Sequence, residues 1–266
     1  REGVAVLAPV LEEAADTGEQ FVWALAEDGK GRLYIGTGNS GKIYALDGTG
    51  EPELLFDSPE VAIFSLAVGT DGALYAGSSP DGLIYRIAPG KDPATFCYTG
   101  DDHVWALVPE AGGRLYAATG GKQGRIVKVS AKGEAKQIYQ SSDPNVVSLI
   151  RGADGCLYAG TDENGLVYKV DARGKVEVLY DAAEKEVHAL ALGPNGVLYA
   201  GAMSGSSRTD GSKGGAPPSP QSRPSPPPQE SSTLYAIRPS GATFRLWKVS
   251  EPMLLALAVD PQGEVT

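Results

Sequence analysis

Hydrophobic residues in this chain come in short runs separated by Gly-, Asp- and Asn-rich breaks, and no stretch keeps a helical period. Phe21–Glu60 shows the pattern as VWALA, AEDGKG, RLYIGT, GNSG, KIYALD, a Gly-rich break and ELLFD. Apolar, β-branched and aromatic runs bounded by turn residues predict strands, here at Val22–Ala26, Arg32–Thr37, Lys42–Asp47 and Glu53–Asp57. The chain then repeats the pattern. Leu25, Leu66, Leu107, Leu149 and Leu190 each follow Ala or Ser, at gaps of 41, 41, 42 and 41 residues. Tyr34, Tyr75, Tyr116, Tyr158 and Tyr199 keep step with them inside Gly-x-Leu-Tyr runs.

Four short antiparallel strands in a repeat of about 40 residues describe a propeller blade. The expected fold is therefore an all-β β-propeller of four-stranded antiparallel blades, five complete and a sixth in part. The blades fall at 21–60, 61–102, 103–144, 145–185 and 186–252, with a partial blade at 253–266 that residues 1–15 are placed to complete. A single domain spans 1–266. Two closures are open: a ring of six with one blade split between the termini, or a fragment of a seven-bladed propeller. The missing start Met and the stop inside a strand point to the fragment.

Alternation along the first strand of each repeat puts Trp23 and Leu25 on one face and Val22, Ala24 and Ala26 on the other. The same split recurs with Phe64 and Leu66, Trp105 and Leu107, Val147 and Leu149, and His188 and Leu190. A large face against a small face is what stacked blades need, so Leu107 is expected to face the neighbouring blade. Blade five is interrupted by residues 202–232, with PPSPQSRPSPPPQ at the centre. That composition cannot bury enough apolar surface to order itself, which leaves a dispensable loop or a docking tether.

Composition narrows the partners. A formal charge of -10 and pI near 4.8 argue against a nucleic-acid backbone, which needs clustered Lys and Arg. No apolar run approaches the length of a membrane helix. Cys97 and Cys156 occupy different repeat positions, which speaks against a disulfide framework.

The runs RLYIGTGNSGKIYALD, ALYAGSSPDGLIYRIA and CLYAGTDENGLVYKVD resemble the broad NHL, two-component-regulator and quinoprotein-type propeller group, from Phe21 to Thr266. The Gly-His and Trp-Asp pairs of WD-repeat blades are absent, as is the tryptophan docking motif of quinoprotein dehydrogenases. The resemblance implies an exported bacterial protein, periplasmic or extracellular. It implies no single activity, because such folds host unrelated functions.

Candidate chemistry is sparse, and no residue set points to a catalytic centre, cofactor or metal site. His103 and His188 are the only histidines, too few for the three ligands of a catalytic zinc. His188 shares the large-face slot, and His103 follows Asp101 and Asp102 in a loop. Asp28, Asp71, Asp154 and Asn195 precede Gly at the first turn, as hairpin geometry asks. The connections between blades carry Asp101, Asp102 and Glu186 and the fourth B-to-C turn Asp162 and Glu163, all expected to be exposed on one face. With His103 they form the candidate binding rim, suited to a protein or cationic ligand, or simply to solubility. Three functions stay open: a non-enzymatic interaction or ligand-binding propeller, an enzyme of lactonase or lyase type, and a structural segment of a larger chain.

Overall fold

The computed structural model describes residues 13–48, 50–204, 231–250, 254–260 and 263–265. Residues 1–12 of the completing segment and 205–230 of the insertion lie outside them. Blade one is β1 (Phe21–Glu27), β2 (Arg32–Gly38), β3 (Lys42–Asp47) and β4 (Glu53–Asp57). Blade two is β5 (Ala62–Val68), β6 (Leu74–Ser79), β7 (Leu83–Ile87) and β8 (Ala94–Tyr98). Blade three is β9 (His103–Glu110), β10 (Arg114–Gly120), β11 (Arg125–Val129) and β12 (Ala135–Gln140). Blade four is β13 (Val146–Arg151), β14 (Leu157–Thr161), β15 (Leu166–Val170) and β16 (Val176–Asp181). Blade five is β17 (Glu186–Leu192), β18 (Leu198–Ser204), β19 (Ser231–Ile237) and β20 (Thr243–Ser250).

Each blade is an antiparallel meander in sequence order. The first strands lie side by side, β1 on β5, β5 on β9, β9 on β13 and β13 on β17, which makes them the innermost strands about the axis. A sixth blade begins with Leu254 against Gly201, and Val259 pairs with Val265 round a turn at Asp260 and Gly263.

The expected alternation along the first strands is wrong in one respect. Every first strand carries a β-bulge, between Val22 and Ala24, Ile63 and Ser65, Val146 and Ser148, and Val187 and Ala189, and in β9 at Trp105. One extra residue reverses side-chain parity. Val22 therefore shares a face with Leu25, while Ala24 and Ala26 take the other. Trp23 and its equivalents fall out of that alternation, and the rings of Trp23, Phe64 and Trp105 meet across blades at the strand tops.

Large still packs into small. Ile63, Val104, Val146 and Val187 are each 0% exposed, and each points at a small residue on the second strand of the preceding blade. A Cβ on Gly36 would stand 2.9 Å from Ile63 Cγ2, and one on Gly77 would stand 2.5 Å from Val104 Cγ1. Gly160 receives Val187 in the same way, while blade three offers Ala118 to Val146. Burying each such side chain stabilises by about 1.5–3 kcal/mol. Leu107 is partly buried against a cluster that joins Ala73, Tyr75 and Ile84 of blade two to Leu115, Ala117 and Val127 of blade three. On blade one the corresponding face is open among the described residues, with Val22 49% and Leu25 60% exposed.

Candidate ligand-binding site

The connections between blades and the turns between second and third strands share one face. Ser58 Oγ donates to the Gly41 carbonyl at 2.6 Å, and Thr99 Oγ1 to that of Gly82 at 2.9 Å. Gly41 and Gly82 sit at φ of 59° and 58°, and a Cβ on either would strike the carbonyl of Glu60 or Asp101. Only glycine gives both the left-handed backbone and the close approach.

In each connection one carboxylate turns inward: Glu19, Glu60, Asp101, Asp143 and Glu184, spaced 41, 41, 42 and 41 residues. A Ser or Thr two residues earlier folds most of these loops, accepting the N–H of Glu60 and Asp143 at 3.3 and 3.1 Å. The side chain then ties its connection to the next blade. Glu19 accepts from Ser40 Oγ, Lys42 Nζ and Tyr44 Oη at 2.6, 2.8 and 2.9 Å, and Lys42 first among them holds its carboxyl down at about 2. Glu60 accepts the N–H of Asp81, and Asp143 the groups of Thr161 and Asn164. Burial pushes Glu184 up, but Thr233, Tyr235 and Lys248 outweigh it and keep the carboxyl below its ordinary value.

Asp101 belongs to this inner tier, which corrects its place on the exposed rim. It is 3% exposed, takes Arg125 Nε at 2.8 Å and accepts from Thr119. Glu60, Asp143 and Glu184 are buried likewise. The Thr99 fold of the loop turns Asp101 in and leaves Asp102 half-buried beside Gly121.

Two and four residues beyond each inner carboxylate lie the tops of the innermost strands, where the repeat stops repeating. The first column reads Phe21, Ala62, His103, Asn145, Glu186, and the second, the bulge residues, reads Trp23, Phe64, Trp105, Val147, His188. Aromatic rings run from blade to blade: Trp23 to Phe64 at 5.7 Å edge-on, and Phe64 to Trp105 stacked at 4.6 Å and 15°. His103 lies beside both, 6.2 and 5.3 Å from their centroids, and its Nδ1 is 2.8 Å from Ser79 Oγ.

Polar groups continue the line. Trp105 Nε1 donates to Asn145 Oδ1 at 3.0 Å, and Asn145 donates from Nδ2 and its backbone N–H to Asp162 at 2.6 and 3.0 Å. Burial pushes the Asp162 carboxyl up; the Asn145 groups oppose this, while Glu163 and Glu186 add to it. His188 Nε2 is 2.7 Å from Glu186 Oε2, and that hydrogen bond holds Glu186 below its ordinary value. Along the mouth formed by these strand tops, Asp162 of the candidate rim stands near Glu186, and His103 is linked to Asp162 through Trp105 and Asn145, with Glu163 exposed at the edge. Phe64, Trp105 and Asn145 are additional members. Their signal in the sequence was the failure of two aligned columns to repeat.

Two clefts lie elsewhere. Cavities of 450 and 640 Å³ lie at the opposite end, beside the turns that carry Asp71 and Asp154. Those carboxylates already hold Tyr75 and Arg86, and Tyr158 and Lys169, at 2.9–3.1 Å. Among the described residues no group of three or more His, Cys, Asp and Glu is arranged to hold a metal, and both cysteines are free.

Known proteins agree on architecture. The model of the two component regulator propeller family matches residues 18–39. The WD40 β-propeller domain of Doa1 superposes with a TM-score of 0.67 at 17% identity, covering 95% of this chain and 76% of that one. Virginiamycin B lyase from Staphylococcus aureus, crystallised with quinupristin, gives 0.65 at 14%, covering 89% and 73%. The extracellular domain of the putative one component system BT4673 from B. thetaiotaomicron gives 0.64 at 14%, covering 96% and 32%. No curated protein matches the sequence. Likeness at these identities shows the fold alone.

Proposed function

We propose that this chain, a β-propeller repeat protein, is a non-enzymatic binding module whose ligand sits in the mouth formed by the tops of the innermost strands. One observation carries the reading. Positions that build the fold repeat in every blade, whereas the two columns at the mouth vary and hold aromatic rings, both histidines and a carboxylate. Packing does not require those residue types there, since blade two manages with Ala62 and blade four with Val147. Half-buried rings on rigid strands, next to a few convergent polar groups, form the usual lining of a ligand site.

The test is a ligand screen on isotope-labelled protein, read at the Trp105 indole N–H, which Asn145 already fixes. Ligands that move this resonance and lose affinity in Trp105→Leu support the reading. Ligands that bind tightly while moving only residues of the opposite face refute it.

A second reading rests on the Glu186–His188 contact. A carboxylate-oriented imidazole at a mouth is a general base by arrangement, and lyases are among the structural relatives. It predicts turnover of a ring-opening or elimination substrate that His188→Gln abolishes while binding survives.

A further inference from the structure

We infer that the open face of blade one is a docking surface for the sixth blade of the same chain, so that residues 13–16 and 254–265 belong to one blade and the ring closes at six. This does not depend on what the mouth binds. The starting point is a side chain without its socket. Ile63, Val104, Val146 and Val187 each fill a small position of the preceding blade, and Leu254 fills Gly201 of blade five, 2.5 Å from a Cβ placed there. Val22 stands at the corresponding place on blade one and is exposed, as is Leu25. Blade five is open on its opposite side. Leu246 and Trp247 of β20 are exposed, whereas Tyr180, which matches Trp247 in β16, meets Tyr235 of the next blade at 4.8 Å. Large apolar side chains exposed together mark a surface that something covers.

Two segments of this chain hold complementary parts of the missing neighbour. Glu19 ties its connection to β3 through Lys42 and Tyr44, as Glu184 ties its own to blade five through Tyr235 and Lys248. The Ala14 carbonyl accepts the N–H of Gly50 at 3.3 Å. At the matching glycines of blades three and four, Gly133 and Gly174, the nearest carbonyls are those of Phe96 and Ile138, on the fourth strands of the preceding blades. Ala14 therefore occupies the place of a fourth strand ahead of blade one. At the other segment, the Asp260 N–H reaches the Glu264 carbonyl at 3.0 Å, as Asp28 reaches Arg32 where β1 turns into β2. Leu254–Val265 is thus a first strand and the start of a second. One segment gives a fourth strand and the other a first and second, with no strand supplied twice. The sequence assigns the rest of that blade to residues 1–12, outside the described residues.

Closure sets Leu255 beside Trp23, as Phe64 and Trp105 of the same column stack at 4.6 Å. The full chain is labelled at its leucine methyl groups and nuclear Overhauser contacts are read, with sedimentation giving the oligomeric state. The Leu255 methyls are assigned by their loss in Leu255→Ile and the Trp23 indole by its loss in Trp23→Phe. Both positions are exposed, and urea midpoints establish that the variants are folded; Trp23→Tyr serves if Trp23→Phe is not. The expected result is contact between the Leu255 methyls and the Trp23 indole in a monomer. A monomer without that contact overturns the inference, because another blade or open solvent then separates the two. Contact only between copies, in a protein that sediments as a dimer, assigns the face to a second copy and overturns it as well.

Discussion

Adding one carbon at Gly77 tests whether blades are held together as described. Gly77 does not sit at positive φ, so alanine is compatible with its backbone, and the change would by itself stabilise by about 0.4–1 kcal/mol through the unfolded chain. The structure predicts the opposite sign. The new methyl would stand 2.5 Å from Val104 Cγ1 and 2.4 Å from Ser65 Oγ, and Val104 is 0% exposed. Such overpacking costs about 1–3 kcal/mol. Val104→Ala alone loses two buried carbons and leaves a void, at about 2 kcal/mol. Combined, the loss of Val104 Cγ1 removes one clash, while Ser65 Oγ and Val104 Cβ still stand 2.4 and 2.8 Å from the new methyl, so the double variant should cost less than the additive sum of about 4 kcal/mol but more than Val104→Ala alone. Urea unfolding of the four proteins gives the coupling directly. A stabilising Gly77→Ala, or costs that add without coupling, would refute the packing of Val104 into Gly77. Blade three is the internal control, since Ala118 already supplies that methyl beneath Val146.

Three further outcomes are expected. Asp101→Asn should cost about 3 kcal/mol in urea unfolding, because it leaves Arg125 without its buried partner; a change under about 0.5 kcal/mol would mean an exposed loop charge instead. Carboxyls held below their ordinary values, Glu19 and Asp154 at about 2, contribute stability that is complete above about pH 4.5 and lost as pH falls through about 2. The urea midpoint should therefore fall steeply across that window, less so in Glu19→Gln, and a flat profile would contradict the ion pairs. Replacing 205–230 with Asn-Gly should leave a cooperative fold, since Ser204 and Ser231 pair directly and a two-residue turn closes such a hairpin; loss of cooperative unfolding would show that the segment is needed.

The blades were legible because their causes are local and repeated. Gly-x-Leu-Tyr runs, turn glycines and strand-length apolar runs recur at a fixed period, so β2, β3 and their copies follow from pattern alone. The bulge was not legible. Trp23, Phe64 and Trp105 look like core residues in a strictly alternating strand, and only the pairing of Val22 with Thr37 and Ala24 with Gly36 shows that they leave the core. The inner carboxylates hid for a different reason. Charge in a loop reads as solvated, and the burial of Asp101 depends on Arg125, distant in sequence and adjacent only across the connection. The recurrence of Ser or Thr two residues before the acid was the available signal.

Bulge and inner carboxylate together explain why chemistry can vary at the mouth at little cost to the fold. The bulge takes one side chain per blade out of the blade-to-blade face, so its identity is freed from packing, and the column reads Trp, Phe, Trp, Val, His. Four residues before it the inner carboxylate fixes the connection, and at the residue before it Val104 or Ile63 locks the strand to its neighbour. A variable side chain therefore stands on fixed backbone, as a preorganised site requires. Burial disfavours the charge of Asp162, whereas the partners of Glu19 favour the charge of that inner carboxylate. The inner carboxylates tie each connection to the next blade, which leaves the residues above them free to differ from blade to blade.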